Sequence, residues 1–262
     1  MRSSTPAIVA GSRSVTEIDQ RRVLVVGASS GLGRDIGDAL AARGARVAFA
    51  ARRAQHVHDA AESAGGGCVG FECDVRDEAA CAQVVADAVD HFGGLDTLVY
   101  AAAIGPLVDL IDAGGEPWRT ALDVNVIGAS LVTRAAAPHL KQSGTGKALY
   151  LSSVTGGTSA PWPGLSVYAV SKAALDRMVL CWQTEYPGVG FTTFILGPTA
   201  GSDGAPSSFA DAWGAGPTTV AVERWIALGL MDGALVPTDD VCAQVIDVLS
   251  SPESTATVVI QP

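Results

Sequence analysis

The 262-residue sequence predicts a single-domain α/β fold, a doubly wound parallel sheet with helices on both faces. Three observations carry this reading. Short apolar runs alternate with helix-like stretches of ten or more residues, the pattern of successive βαβ units. Glycine or proline closes several of those stretches. The first apolar run, Arg22-Val23-Leu24-Val25-Val26, is apolar after its first residue, as suits a parallel strand buried on both faces.

The elements follow in order. The run at 22–26 is strand one, and a helix over 32–43 stops at Gly44. Residues 45–51 make strand two. The helix at 54–64 ends in Gly65-Gly66-Gly67, and residues 68–73 make strand three. The helix at 78–92 precedes Gly93-Gly94, and residues 95–101 make strand four. A long helix over 118–140 starts after Pro117, and strand five spans 147–151. The helix at 168–186 is stopped by Pro187-Gly188, and residues 191–196 make strand six. A helix at 239–249 and a strand at 256–260 finish the chain. Residues 201–216, rich in Gly, Ser, Ala and Pro, break the rhythm, and an amphipathic helix is expected at 225–230. An insertion of this length, about 201–231, is expected to be functional, here as a substrate-binding segment. Residues 21–262 form the domain, and residues 1–20 are expected to be a flexible extension.

Composition narrows the function. Hydrophobic residues make up 48% and charged residues 17%, which suits a large core rather than disorder. No apolar run reaches the roughly 18 residues of a membrane span. The net charge of -10 is repelled by phosphate backbones, which argues against a nucleic-acid partner. The five cysteines include no CxxC pair and read as free thiols of a reducing compartment, so a cytoplasmic location is expected. His56, His58, His91 and His139 show no ligand spacing, and no metal is expected.

Gly27-Ala28-Ser29-Ser30-Gly31-Leu32-Gly33 joins the first strand to the first helix. Glycines let the backbone turn tightly and approach a pyrophosphate, and the helix start offers free N–H groups to the anion. Ser29 and Ser30 add hydroxyl donors. The alternative is a plain strand-to-helix turn. At the end of strand two, Arg52 and Arg53 stand where a carboxylate would select a free ribose hydroxyl, which favours NADP(H) over NAD(H). Asp74, followed by Val75, ends strand three and can reach an adenine amino group; otherwise it caps the next helix, a role for which Asp77 competes.

Tyr168 and Lys172 lie four residues apart on one helix face. A free phenol has a pKa of about 10, and a neighbouring ammonium lowers it, making Tyr168 a proton carrier between alcohol and carbonyl. Lys172 can also bond the nicotinamide ribose. Ser152-Ser153 follows strand five at the carboxyl edge of the sheet, where ligands bind in this architecture. Asn125 is an amide inside an apolar helix stretch, there to be hydrogen-bonded or to bridge a neighbouring strand.

Together these residues resemble the short-chain dehydrogenase/reductase family, in its subgroup of about 250 residues with GxxxGxG and YxxxK motifs. The resemblance covers residues 22–260. It implies a Rossmann-like sheet of about seven strands and a reversible alcohol–ketone oxidoreduction with a nicotinamide cofactor. It also implies Tyr168 as general acid/base, Lys172 as its pKa modulator and ribose ligand, Ser153 as orienter of the substrate oxygen, and Asn125 as holder of a relay water. A homodimer or homotetramer built through the helices carrying Asn125 and Tyr168 is implied as well. Cofactor contacts are expected along Gly27, Ser29, Ser30, Gly31, Leu32 and Gly33, at Arg52, Arg53, Asp74 and Val75, at Ala101 and Ala102, and at Tyr168, Lys172, Pro198 and Thr199.

The sequence departs from the family pattern in four places. Val26 replaces a threonine before the glycine motif. Tyr100-Ala101-Ala102-Ala103 replaces Asn-Asn-Ala-Gly, which removes a bracing amide and leaves Ala101 and Ala102 only backbone contacts to offer. Pro198-Thr199 replaces Pro-Gly, and the 153–168 stretch is lengthened around Pro161-Trp162-Pro163. Residues 155–165 and 202–230 are expected to wall the substrate. Trp162, Phe209, Trp213 and Trp225 make those walls aromatic and point to an apolar carbonyl or alcohol, unless the rings serve the core or an oligomer contact. A non-catalytic dinucleotide sensor is the competing reading. A sugar-nucleotide epimerase is disfavoured by the glycine spacing and the short tail.

Overall fold

The computed structural model describes residues 18–157, 159–201 and 208–262. Seven parallel strands form one sheet in the order β3-β2-β1-β4-β5-β6-β7. The strands are β1 (Arg22–Val26), β2 (Arg46–Ala51), β3 (Val69–Glu72), β4 (Thr97–Tyr100), β5 (Lys147–Ser153), β6 (Gly190–Leu196) and β7 (Thr257–Ile260). The chain runs outward through β2 and β3, then returns to place β4 beside β1. That reversal opens a crevice at the carboxyl ends of β1 and β4, the place where ligands bind in doubly wound sheets.

Side chains along each strand alternate between two cores. Leu24 and Val26 of β1 pack with Val84 and Ala88 of helix α3 (Glu78–Phe92), Val132 and Leu140 of α5 (Ala129–Ser143), and Leu175 of α6 (Ser166–Glu185). Val23 and Val25 face the other way, against Ile36 of α1 (Gly31–Ala41), Val57 of α2 (Ala54–Ala64) and Val245 of α9 (Thr238–Ser250). No helix among the described residues is long and apolar enough to cross a membrane.

Several expected boundaries shift, each for a local reason. The long helix expected at 118–140 starts three residues earlier. It runs as α4 (Gly115–Leu122), a π-helical turn (Asp123–Gly128) and α5. Pro117 sits inside its first turn, where no intrahelical N–H bond is lost. Helix α6 starts at Ser166, not 168, so Tyr168 lies within its first turn. Strand β5 extends through Ser152 and Ser153, which therefore end the strand rather than follow it. The helix expected at 225–230 is the end of α8 (Ala215–Ala227); its Gly216-Pro217 start reads as a breaker, but proline is tolerated in a first turn. Helix α7 (Ser208–Trp213) lies inside the stretch read as loop. Residues 202–207 of the expected substrate segment, residue 158 of the other wall and residues 1–17 of the expected extension lie outside the described residues. Residues 18–20 are not an extension. Ile18 is buried in the core, and the Gln20 amide donates to the Gly44 carbonyl at 2.9 Å.

Candidate active site

The crevice floor is the glycine turn. Gly27 has φ +92°, a left-handed value that glycine alone adopts without strain, and a Cβ there would stand 2.3 Å from the Ala102 amide nitrogen. A Cβ on Gly33 would meet the Gly27 carbonyl oxygen at 2.4 Å. These two glycines let α1 settle onto the turn and the turn onto the end of β4. Ser30, at the N-cap of α1, makes no capping bond with its side chain, and Gly31 opens a first turn with no acidic residue. The free N–H groups and positive dipole of that turn fit the pyrophosphate of a dinucleotide. Leu32 is half-buried on the α1 side of the core.

Arg53 reaches over this turn. Its guanidinium donates to Ser29 Oγ at 2.8 Å and to Ser30 Oγ at 2.6 Å, so both hydroxyls accept from the protein and keep their own hydrogens to give. The Asp74 carboxylate is gripped by Arg76 at 2.5 Å and 3.0 Å. The hydrogen bond from Arg76 leads in holding the Asp74 carboxyl down to about 2, and Arg52 adds a smaller pull. The cap of α3 belongs to Asp77, which accepts from the Ala79 and Ala80 amides. Asp74 is thus free of the capping role. Val75 is buried against Gly128 of the π turn. Ala101 donates its amide to Val26 at 2.8 Å, and Ala101 and Ala102 are half-buried at the crevice edge. Pro198 and Thr199 follow β6 and are tied to Val236.

Above the floor, β5 and α6 bring three groups together. Ser153, the last residue of β5, faces the Tyr168 phenol and lies 3.0 Å from the Thr155 hydroxyl. Lys172, one turn along α6, donates to the Leu151 carbonyl at 2.7 Å, and its Nζ lies 5.6 Å from the centre of the Tyr168 ring. The expected lowering of the phenol by the amine is not what this arrangement produces. Burial pushes the Tyr168 phenol above its ordinary value, outweighing the neighbouring Ser153 hydroxyl, which draws it down. The amine is turned to a backbone carbonyl. Burial also pushes Lys172 down to about 8.

Asn125 is fully buried in the π turn. Its Oδ1 accepts from the Ile104 amide, and its Nδ2 donates to the Ile104 carbonyl and to Ser171 Oγ, all at 2.8 Å. Both amide hydrogens are committed. The carboxamide ties the β4–α4 connection to α6 next to Lys172.

Tyr100 and Asp176 were not singled out from sequence as parts of the site, and Thr155 and Phe209 were read only as substrate wall. Tyr100 stands where the family pattern has an amide, and its buried hydroxyl donates to the Val124 carbonyl at 2.6 Å. It braces the π turn in place of the missing amide. Tyr100→Phe is expected to orphan that buried carbonyl and cost about 1–3 kcal/mol, read as a lower midpoint in urea unfolding. Thr155 joins Ser153. Asp176 lies on α6 beyond Lys172. Phe209, read only as substrate wall, packs edge-on against the Tyr168 ring at 5.3 Å and leaves Tyr168 8% exposed.

The aromatic residues form a continuous wall. Phe209 stacks on Trp213, Trp213 meets Trp225, and Trp225 meets Trp162 at 5.1 Å. Trp213 donates to the Gly105 carbonyl at 2.6 Å and Trp225 to the Pro163 carbonyl at 2.9 Å. Beside this wall, a cavity of about 480 Å³ is lined by Val154, Trp162, Pro198, Leu230, Met231 and Gln261, among others. Gln261 and Pro262, beyond β7, form a wall that no local pattern announces.

A profile of the family described as short chain dehydrogenase matches residues 21–204. A short chain dehydrogenase from Pseudocercospora fijiensis is 33% identical over 208 residues, 76% of this chain and 65% of that protein. The chain thus spans less than two thirds of that relative's length. The crystal structure of a dehydrogenase/reductase from Sinorhizobium meliloti matches at 26% identity and TM-score 0.76, over 94% of this chain and 96% of that one. An alcohol dehydrogenase from Thermococcus sibiricus, complexed with 5-hydroxy-NADP, shares the fold at TM-score 0.75 and 21% identity, over 92% and 95% of the two chains. The profile match takes in both the glycine turn and the helix bearing Tyr168 and Lys172, and the chain belongs to the short chain dehydrogenase family.

Proposed function

We propose that the protein interconverts a secondary alcohol and its ketone with a nicotinamide dinucleotide, NADP(H) in preference to NAD(H). The observation that carries this reading is the meeting of the Ser153 hydroxyl, the Tyr168 phenol and the Lys172 amine at the carboxyl end of β5, beside the glycine turn. The bound nicotinamide supplies or accepts the hydride. Ser153 donates a hydrogen bond to the substrate oxygen and fixes its position. Tyr168, held protonated by burial, gives its proton to that oxygen during reduction and takes it back during oxidation. Lys172 has two donors beyond the one spent on Leu151, and these serve the phenolate formed in reduction and the ribose hydroxyls. Asn125 acts as a brace. A relay water would bind the second lone pair of its Oδ1, since its donors are spent.

The dinucleotide lies along Gly27, Ser29, Ser30, Gly31, Leu32 and Gly33, with Asp74 and Val75 near adenine and Ala101, Ala102, Pro198 and Thr199 near the nicotinamide half. The cofactor preference rests on charge. Arg53 reaches over the serines of the turn, Arg52 is exposed beside it, and Asp74 is neutralised by Arg76. A 2′-phosphate meets cations there and no free carboxylate. The aromatic wall and the cavity beside Pro198 favour an apolar carbonyl substrate. Exposed Ile127 on the π turn and Val170 and Leu180 on α6 favour a homodimer or homotetramer through the two long helices. The free state of all five cysteines accords with a cytoplasmic location.

A panel of ketones and alcohols followed at the nicotinamide absorbance, with NADPH and NADH in parallel, tests the reading. Turnover of an apolar ketone with NADPH is expected; cofactor binding without turnover of any carbonyl supports the sensor instead. Arg53→Ala removes charge-assisted bonds worth roughly 1.5–3 kcal/mol. It is expected to weaken NADPH binding about 10- to 100-fold and leave NADH nearly unchanged. Equal loss for both cofactors ends the 2′-phosphate assignment.

A further inference from the structure

The mechanism above makes no use of Asp176. Tyr168, Lys172 and Asp176 are spaced by four residues along α6, so all three share one helix face. The Asp176 Oδ1 is buried and has no hydrogen-bond partner, and neither has the buried hydroxyl of Ser152 on β5. Ser152 faces the carboxyl, and it sits between Leu151, whose carbonyl holds the Lys172 amine, and Ser153, which faces the phenol. The neighbouring helix positions Leu175 and Val179 lie in the apolar core.

A carboxylate in such a place has to be explained. Taking one out of water costs several kcal/mol unless a counter-charge or hydrogen bonds offset it. An aspartate kept for the fold alone would cap a helix or bond a backbone amide, as Asp77 does. Asp176 does neither. It lies in mid-helix, and Lys172 is the cation that acts on it. The effect is mutual. Burial drives Lys172 towards its neutral form, and Asp176 is the group that opposes this. Burial likewise raises the Asp176 carboxyl, while Ser152 and Lys172 draw it back.

We infer that Asp176 is a positioning residue: its half-buried carboxylate, on the helix face of Tyr168 and Lys172, holds the charge of the Lys172 ammonium in place beside Tyr168. The groups facing this pair are Tyr168 from α6, Ser152 and Ser153 from the end of β5, Thr155 from the turn that follows, and the neutral Asn125, which reaches α6 through Ser171. Among the described residues no other charged group acts on Lys172 or on Asp176. The carboxylate also opposes ionisation of Tyr168, so its two effects on the phenol, one direct and one through Lys172, have opposite signs. The amine is therefore the group to measure.

The inference rests on reading Lys172 as the amine that serves Tyr168, but its test does not need turnover. In protein made with [13C]lysine, the Lys172 Cε resonance is the one missing from Lys172→Met. Its titration midpoint is expected to fall by about one to two pH units in Asp176→Asn and to return in Asp176→Glu. An unmoved midpoint in folded Asp176→Asn overturns the inference, even in an active enzyme. Should Asp176→Asn fail to fold, Asp176→Leu, which suits the apolar face, carries the same expectation. In the turnover assay the alkaline limb of kcat moves to lower pH by the same amount, whereas a merely structural role lowers kcat without moving the limb. A chain that turns over no carbonyl would end the oxidoreductase reading and leave the titration result standing.

Discussion

Tyr168→Phe is expected to lower turnover by about 100- to 10,000-fold and leave dinucleotide binding within about twofold. The substitution keeps the ring and therefore its edge-on contact with Phe209. It removes the hydroxyl that the proposed mechanism uses as its proton carrier, the atom that faces Ser153. The fold should barely notice the change, because Ser153 beside the phenol still has Thr155 as a partner. The check is kcat for ketone reduction beside a fluorescence titration with NADPH. Retained turnover would remove Tyr168 as the proton carrier. Turnover and cofactor binding lost in parallel would make it a structural residue instead.

Asn125→Ala is expected to have the largest effect on stability. One side chain makes three buried hydrogen bonds, and its removal leaves the Ile104 amide, the Ile104 carbonyl and one bond of Ser171 unmet. Each orphaned buried group costs about 1–3 kcal/mol. The sum is several kcal/mol, set against a total stability of about 5–15 kcal/mol. For a chain of this size that is a fall in Tm of about 10 °C or more, measured by circular dichroism. Activity should fall as well, because the same amide holds the crevice wall at Ile104 to the helix that carries Lys172. A Tm within about 2 °C of the parent would mean that water replaces the amide and that the brace is dispensable.

These two residues differ in how far the sequence discloses them. The tyrosine and lysine announce themselves by a four-residue spacing on a helix, and that helix is legible from its own periodicity. The glycine turn is legible for the same kind of reason, since a positive φ at Gly27 is a demand the local chain makes of itself. Asn125 is visible only as an oddity, an amide among apolar residues. Its partners lie 21 and 46 residues away, and no pattern near residue 125 points to them. Tyr100 is harder still. Its position reads as the loss of an amide, and only packing shows that its hydroxyl restores the brace by reaching Val124.

Elements whose boundaries are set by local rules came out close to expectation, and α2 and α3 match to the residue. Two of the errors lie where proline or glycine sits within a helix's first turn, at Pro117 and at Gly216-Pro217, because a breaker in mid-helix is harmless at a helix start. The charge state of the site lay beyond the sequence altogether. A lysine four residues from a tyrosine predicts a lowered phenol. The fold surrounds that phenol with Phe209 and turns the amine to Leu151, and desolvation then outweighs the expected attraction.

Taken by itself, the sequence determined the alternation of strands and helices, the glycine turn that can receive a pyrophosphate, and the helix face shared by Tyr168 and Lys172. All of these depend on torsions and periodicities that a short segment sets alone. Only the tertiary structure decided which hydroxyl meets the phenol, what braces the π turn, which carboxylate stands behind the amine, and how far each group is driven from its ordinary ionisation. Those outcomes depend on burial and on partners distant in the chain, and a side chain's dielectric surroundings do not exist until the whole domain has closed around it.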